Sequence, residues 1–209
     1  MAGVTGIRDT SYSNYSAANN IKKNYPSAAL VPELKSSSVK EKRNISYCSI
    51  GDRKLLLDVF YSAHKPKTKR TAILIIHGGG WRSGNRTQHH ALAQHLASLG
   101  YVVITPEYRL STEALYPAAV YDLKAALRWM HKEAKKYNVD TGKIAVMGFS
   151  AGGQLAALIG TTNGNEKFEG ENCHQKFSSN VQAIVDRPDE LRWRLRQIRA
   201  GFGVSRVAA

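Results

Sequence analysis

The sequence predicts an α/β protein: a three-layer sandwich around a mostly parallel sheet, with an antiparallel hairpin ahead of it. Three observations carry this. Short, continuously apolar, β-branched runs such as "TAILII" and "YVVITP" have the composition of strands covered on both faces. Stretches of helical period separate them, and strands alternating with helices give a parallel sheet with right-handed crossovers. Two of the runs end in glycine-bearing bends, "HGGGW" and "GFSAGG". With 209 residues and 43% hydrophobic content, the chain can bury one full core.

The elements follow in order. Residues 1–42 carry no sustained period and read as an extended lead-in. "RNISYCSIGDRKLLLDVFYSA" has two β-rich runs around Gly51 and Asp52, the pattern of a hairpin. "RTAILIIHGGG" is a buried strand, a helix over 87–99 stops at Gly100, and "YVVITP" is the next strand. Pro117 opens a helix in which Val120, Leu123, Leu127, Met130 and Ala134 recur at three- and four-residue steps, one stripe facing the sheet. "KIAVMGF" is a further strand, 151–160 a helix, and "VQAIVD" over 181–186 a strand. Residues 161–180 read as a long polar loop of the kind found near sites. The organisation is thus a lead-in (1–42), an α/β domain (43–186) and a tail (187–209).

Charge and cysteine content narrow the class. The formal net charge is +14, yet the lysines are scattered, as in "NIKKNY" and "HKEAKKY", without interleaved aromatics or a nucleic-acid module. Solvated surface charge is the better reading, and nucleic acid is disfavoured as a partner. Cys48 and Cys173 are too few for a disulfide framework and lack metal-ligand spacing, so they read as packed or free thiols. No run reaches the roughly 20 apolar residues that span a bilayer. The N-terminus lacks the apolar core of a secretory signal, which places the chain in the cytoplasm as written, or in the periplasm or outside if a signal was removed.

The chemistry centres on Ser150. Gly148-Phe149-Ser150-Ala151-Gly152 is a G-x-S-x-G between a strand and a helix, the context that this nucleophile turn requires. Small residues at Gly148 and Gly152 allow a bend so tight that the serine is held strained, with its hydroxyl toward the cleft beyond the sheet. The Ala151 N–H then sits at a helix N-terminus, where it can donate to a developing oxyanion. Close packing alone would also use small residues here, but "HGGGW" weakens that alternative. Gly78, Gly79 and Gly80 follow a buried strand and expose bare amides. The N–H groups of Gly79 and Gly80 are the expected partner donors, with His77 bracing the loop and Trp81 completing the motif.

These residues resemble the α/β-hydrolase superfamily, in its esterase/lipase branch with an HGGG loop. The run "PEYRL…YPAAVYDLKAALRW" looks like the stretch between the two motifs in that branch, with Asp122 at a frequent helix position. Trp81 and Phe149 look more like the carbohydrate-esterase and feruloyl-esterase relatives. The resemblance covers about residues 43–186. It implies hydrolysis of carboxylic esters, short acyl or carbohydrate-linked, through an acyl-enzyme on Ser150, with a small-molecule ester as substrate. It implies no metal and no organic cofactor.

One part of the pattern breaks. A serine hydroxyl needs a histidine to take its proton and an acid to orient that histidine, and in this fold the chain order is Ser, acid, His. The seven histidines all precede residue 181. Asp186 ends a strand where some hydrolases place the acid, and His174 could swing in from the long loop as a substitute base. Residues 187–209 hold six arginines and no lysine, against eight arginines and sixteen lysines in 1–186. We therefore expect a tail foreign to the fold, a domain truncated at its C-terminus, and impaired esterase activity; the alternative for the tail is a genuine basic amphipathic helix, with Leu191, Leu195 and Ile198 at helical steps. The rival is a non-catalytic binding protein whose basic tail docks an acidic partner.

Overall fold

In the computed structural model, which describes residues 4–171, 173–187 and 205–206, the apolar runs line up in one sheet. β1 (Val39–Ile50) and β2 (Arg53–Ser62) pair antiparallel across a turn with Gly51 at φ 55°. β3 (Arg70–Ile76), β4 (Val102–Pro106), β5 (Val139–Phe149) and β6 (Ala183–Arg187) run parallel to one another. The two-residue β7 (Ser205–Arg206) pairs antiparallel with β6. The strand order is β1-β2-β4-β3-β5-β6-β7, the mostly parallel sheet with an antiparallel hairpin that the sequence predicts.

Side-chain alternation sorts the sheet into two apolar faces. Along β3, Ala72, Leu74 and Ile76 join the larger core, while Ile73 and Ile75 join the smaller one. The larger core is closed by α3 (Ala118–Tyr137) and α4 (Ala151–Thr161), and the smaller by α2 (His90–Ser98), which follows a 3-10 turn at Arg86–His89. Val120, Leu123, Leu127, Met130 and Ala134, the expected stripe of α3, are all buried. Asn138 ends that helix in the left-handed conformation, the usual C-terminal stop.

Three expectations are corrected. The lead-in is not simply extended: α1 (Asn14–Lys22) forms inside it, and β1 begins at Val39. Its helix buries no residue, so there was no apolar period to read; a capping box between Ser13 and Ser16 starts it. The lead-in is fastened by charge, with Arg8 paired to the buried Glu107 at 2.7 Å and Glu33 reaching His90 at 3.2 Å. Second, the cysteines are not free thiols: Cys48 on β1 and Cys173 form a disulfide with a Cα–Cα distance of 5.6 Å. They stand 125 residues apart, and only the return of the 161–180 segment to β1 brings them together.

Third, that segment is more than a polar loop. It contains α5 (Glu166–Glu169), and Glu169 accepts hydrogen bonds from Lys124 and Arg128, each at 3.0 Å, and from Ser179 at 2.7 Å. Lys124 and Arg128 are buried on the same face of α3, four residues apart, and burial pulls both pKa values down despite the Glu169 carboxylate. The basic tail expected over 187–209 lies outside the described residues, apart from the backbone of Arg187 and β7.

Candidate active site

The bend at Ser150 is built by backbone shape. Ser150 takes φ 54° and ψ −124° between β5 and α4, a conformation that side chains other than glycine adopt only under strain. Gly148 and Gly152 make it possible. A Cβ on Gly148 would stand 2.0 Å from the Gly152 carbonyl oxygen, and one on Gly152 would stand 2.4 Å from the Ile76 oxygen and 2.6 Å from the His77 oxygen. The second pair of contacts seats the start of α4 directly on the end of β3, where the glycine loop begins.

The two bends meet. A Cβ on Gly78 would lie 2.8 Å from the Phe149 oxygen and 3.3 Å from the Ser150 Cβ, so the loop packs against the serine with no room for a side chain. Gly79 and Gly80 follow at φ 125° and 61°, and Trp81 at 61°. The Gly79 carbonyl accepts from the N–H groups of Arg82 and Ser83, and the Trp81 carbonyl from Ser111. Among the described residues, the N–H groups of Gly79, Gly80 and Ala151 donate to no backbone carbonyl. These are the three amides that the sequence singled out as oxyanion donors.

His77 lies beneath this loop rather than over the serine. Its ring is buried, stacks on Tyr108 at 4.4 Å, and pairs through Nδ1 with the Gly78 carbonyl at 2.8 Å. The Tyr108 hydroxyl donates to the His77 carbonyl at 3.0 Å. Desolvation lowers the His77 pKa to about 4, so the ring is neutral at pH 7 and its Nδ1–H is the donor toward Gly78. His89 stacks on Phe149 at 4.2 Å; its Nε2 is closed to solvent and has no hydrogen-bond partner among the described residues, and burial takes its pKa to about 4 as well.

The other candidates for base and acid sit apart. His174 Nε2 bonds the Tyr47 carbonyl at 2.8 Å, on β1 and beside the disulfide. Four strand spacings separate β1 from β5, roughly 19 Å at about 4.8 Å each. Asp186 lies opposite Gly148 in the β5–β6 register, one residue before the level of Phe149. Its side chain is outside the described residues. Among the described residues, no cluster of three or more His, Cys, Asp or Glu is placed to hold a metal, and no helix is long and apolar enough to cross a membrane.

A cleft of about 550 Å³ opens beside Gly80, between the glycine loop, the segment after β4, and the first turns of α4. Arg109 on its wall is locked to the buried Asp122 by two side-chain bonds of 2.8 Å and a backbone bond of 2.9 Å, which fixes the segment after β4 to α3. Tyr108, Arg109 and Arg82 were not assigned roles from sequence. The run "PEYRL" was visible, but its contacts with His77 and Asp122 link separate elements and leave no local pattern.

The comparisons accord with this geometry. Esterase LipC of Mycobacterium tuberculosis (strain ATCC 25618 / H37Rv) is 32% identical over 131 residues, 62% of this chain and 32% of that protein. A truncated form of a carbohydrate esterase from gut microbiota superposes with a TM-score of 0.63 at 30% identity, over 74% of this chain and 58% of that one. Thermogutta terrifontis esterase 2, phosphonylated by cyclosarin, superposes with a TM-score of 0.59 at 31% identity, over 73% of this chain and 56% of that one. The chain spans about a third of the length of the curated relatives it matches. The family model BD-FAE matches residues 57–189, which hold both bends and the strands that carry them, and the chain belongs to this family of α/β-hydrolase esterases.

Proposed function

We propose that this protein hydrolyses carboxylic esters, short acyl or carbohydrate-linked, through an acyl-enzyme on Ser150. The observation that supports the reading is the contact between the two bends: Gly78 packs against Ser150 and Phe149, and the amides of Gly79, Gly80 and Ala151, which among the described residues donate to no backbone carbonyl, are the proposed oxyanion donors. The Ser150 oxygen attacks the ester carbonyl and loses its proton to a base; the tetrahedral oxyanion forms against the amides. Collapse expels the alcohol and leaves the acyl group on Ser150, and water then releases the acid. Each amide donor lowers the barrier by roughly 3–4 kcal/mol. The cyclosarin adduct of the Thermogutta esterase supports a nucleophile in a fold of this kind.

The proton acceptor decides the rate. Among the described residues no histidine ring is bonded to the Ser150 hydroxyl, and residues 187–209 contain no histidine. An oxyanion hole without its base retains roughly 10³–10⁴-fold over water. We therefore expect slow turnover by this polypeptide. A fluorophosphonate probe, with mass mapping of the adduct, tests the site: slow labelling confined to Ser150 and abolished by Ser150→Ala supports it. Labelling elsewhere, or none on prolonged incubation, overturns it, while rapid p-nitrophenyl acetate turnover lost in Ser150→Ala would overturn the impairment alone.

A further inference from the structure

Among the described residues, Arg82 is the one guanidinium on the cleft wall without a carboxylate bonded to it. Arg109, the other arginine there, is held bidentately by Asp122. Arg82 is exposed, and among the described residues its guanidinium makes no hydrogen bond or ion pair. Its charge is felt by Asp9, but the Asp9 carboxylate is engaged by Ser11 and does not close on the guanidinium. Gln154, one turn beyond Ser150, also brings an exposed and uncommitted amide to the cleft. The rest of the wall is largely apolar, with Leu155 and Leu158 on α4 and Trp81 from the glycine loop. Among the described residues, none that lines the cleft is acidic. A pocket with an apolar body and one unsatisfied cation fits a ligand with an apolar body and one anionic end. The net charge of +14 acts in the same direction, raising the local concentration of anions.

Resting on the ester-hydrolase reading, we propose that this cleft selects esters that carry a carboxylate, which pairs with Arg82 while the ester carbonyl sits against the Gly79, Gly80 and Ala151 amides. A planar guanidinium binds a carboxylate through two parallel hydrogen bonds, stronger than either group makes with a neutral partner. Because Arg82 is exposed, the gain is moderate and sensitive to salt.

The test measures binding to the full chain carrying Ser150→Ala, which prevents turnover, by ligand-observed NMR titration. The probes are benzyl hydrogen succinate, with its carboxylate on the acyl side, carboxymethyl butyrate, with it on the alcohol side, and neutral benzyl butyrate. We expect one anionic ester to bind about fivefold tighter than the neutral one at low salt. That preference should shrink at about 0.5 M sodium chloride and vanish in Arg82→Gln, while Arg82→Lys keeps part of it. Whichever anionic probe is preferred assigns the carboxylate to the acyl or the alcohol side. Equal binding of all three, or a preference unchanged in Arg82→Gln, overturns the selectivity and leaves the hydrolase reading standing. Failure of every ester to bind overturns both.

Discussion

The serine end of the sheet and the opposite flank are held by different forces. At Ser150 the structure is fixed by backbone against backbone: Gly148 on Gly152, Gly152 on the end of β3, Gly78 on Phe149. On the flank, the lead-in and the 161–180 segment are fixed by long-range pairs. Cys48 joins Cys173, Glu169 joins Lys124 and Arg128, and Arg8 and Glu33 of the lead-in reach Glu107 at 2.7 Å and His90 at 3.2 Å. Glu107 gathers Arg8, Arg53 and Arg86 about one buried carboxylate. Sterics place atoms to within tenths of an ångström at no charge, which a nucleophile bend requires. Ion pairs on long side chains adjust to the gap they span, and the disulfide adds a covalent tie of defined geometry, which suits fastening a peripheral segment to a finished core.

The largest effect should come from the disulfide. In the chain-entropy description, closing a loop of this size restricts the unfolded chain by about 4–5 kcal/mol. The Cys48→Ser/Cys173→Ser double variant should lose most of that in denaturant unfolding, while slow fluorophosphonate labelling at Ser150 persists in its folded form. Loss of labelling from the folded double variant would show that the flank positions the site, and would break the contrast.

A pH titration sharpens it next. His77 titrates near 4 when folded and near 6.5 when unfolded, so between these values the unfolded chain binds more protons. Stability is therefore full above about pH 6.5 and falls as pH drops toward 4, by up to about 3 kcal/mol for this ring. His89 adds a loss in the same window. Burial raises the carboxyl pKa of Asp58, but its bonds to His90, Asn44 and Arg86 outweigh this and lower it below its ordinary value, so its contribution is lost only at lower pH. Urea unfolding at pH 7, 5.5 and 4.5 measures the slope; a flat response over that range would mean His77 is solvated.

The smallest effects distinguish neighbouring glycines. Gly148→Ala meets backbone at 2.0 Å and should cost about 1–3 kcal/mol while abolishing labelling of Ser150. Gly80→Ala meets nothing within 4 Å and suffers only from its φ of 61°, about 1 kcal/mol. Thermal melts together with the labelling rate compare them. Equal losses in the two variants would argue against steric packing as what shapes the bend.

Both bends were legible because their requirement is local. A strand must turn sharply into a helix, only small residues fit, and the serine between them stands out in five letters. The strands and the α3 stripe were legible for a similar reason, since a continuously apolar, β-branched run and a 3.6-residue period each lie within one element. α1 escaped because it buries nothing, and its signal was a cap rather than a stripe. Lys124 and Arg128 were invisible inside an apolar helix, because their partner Glu169 is more than forty residues away in a segment that reads as solvent-exposed.

The sequence by itself determined the alternation of strands and helices, the two glycine bends, and Ser150 as the residue between them. Periodicity and steric demand are written over a few neighbouring residues. Only the tertiary structure decided that Gly78 touches Ser150, that His77 lies under its loop with Tyr108, that His174 is tied to β1, and that Cys48 meets Cys173. Each of these depends on where the chain returns after tens of residues, and that path is set by packing of the whole sheet rather than by any stretch of it.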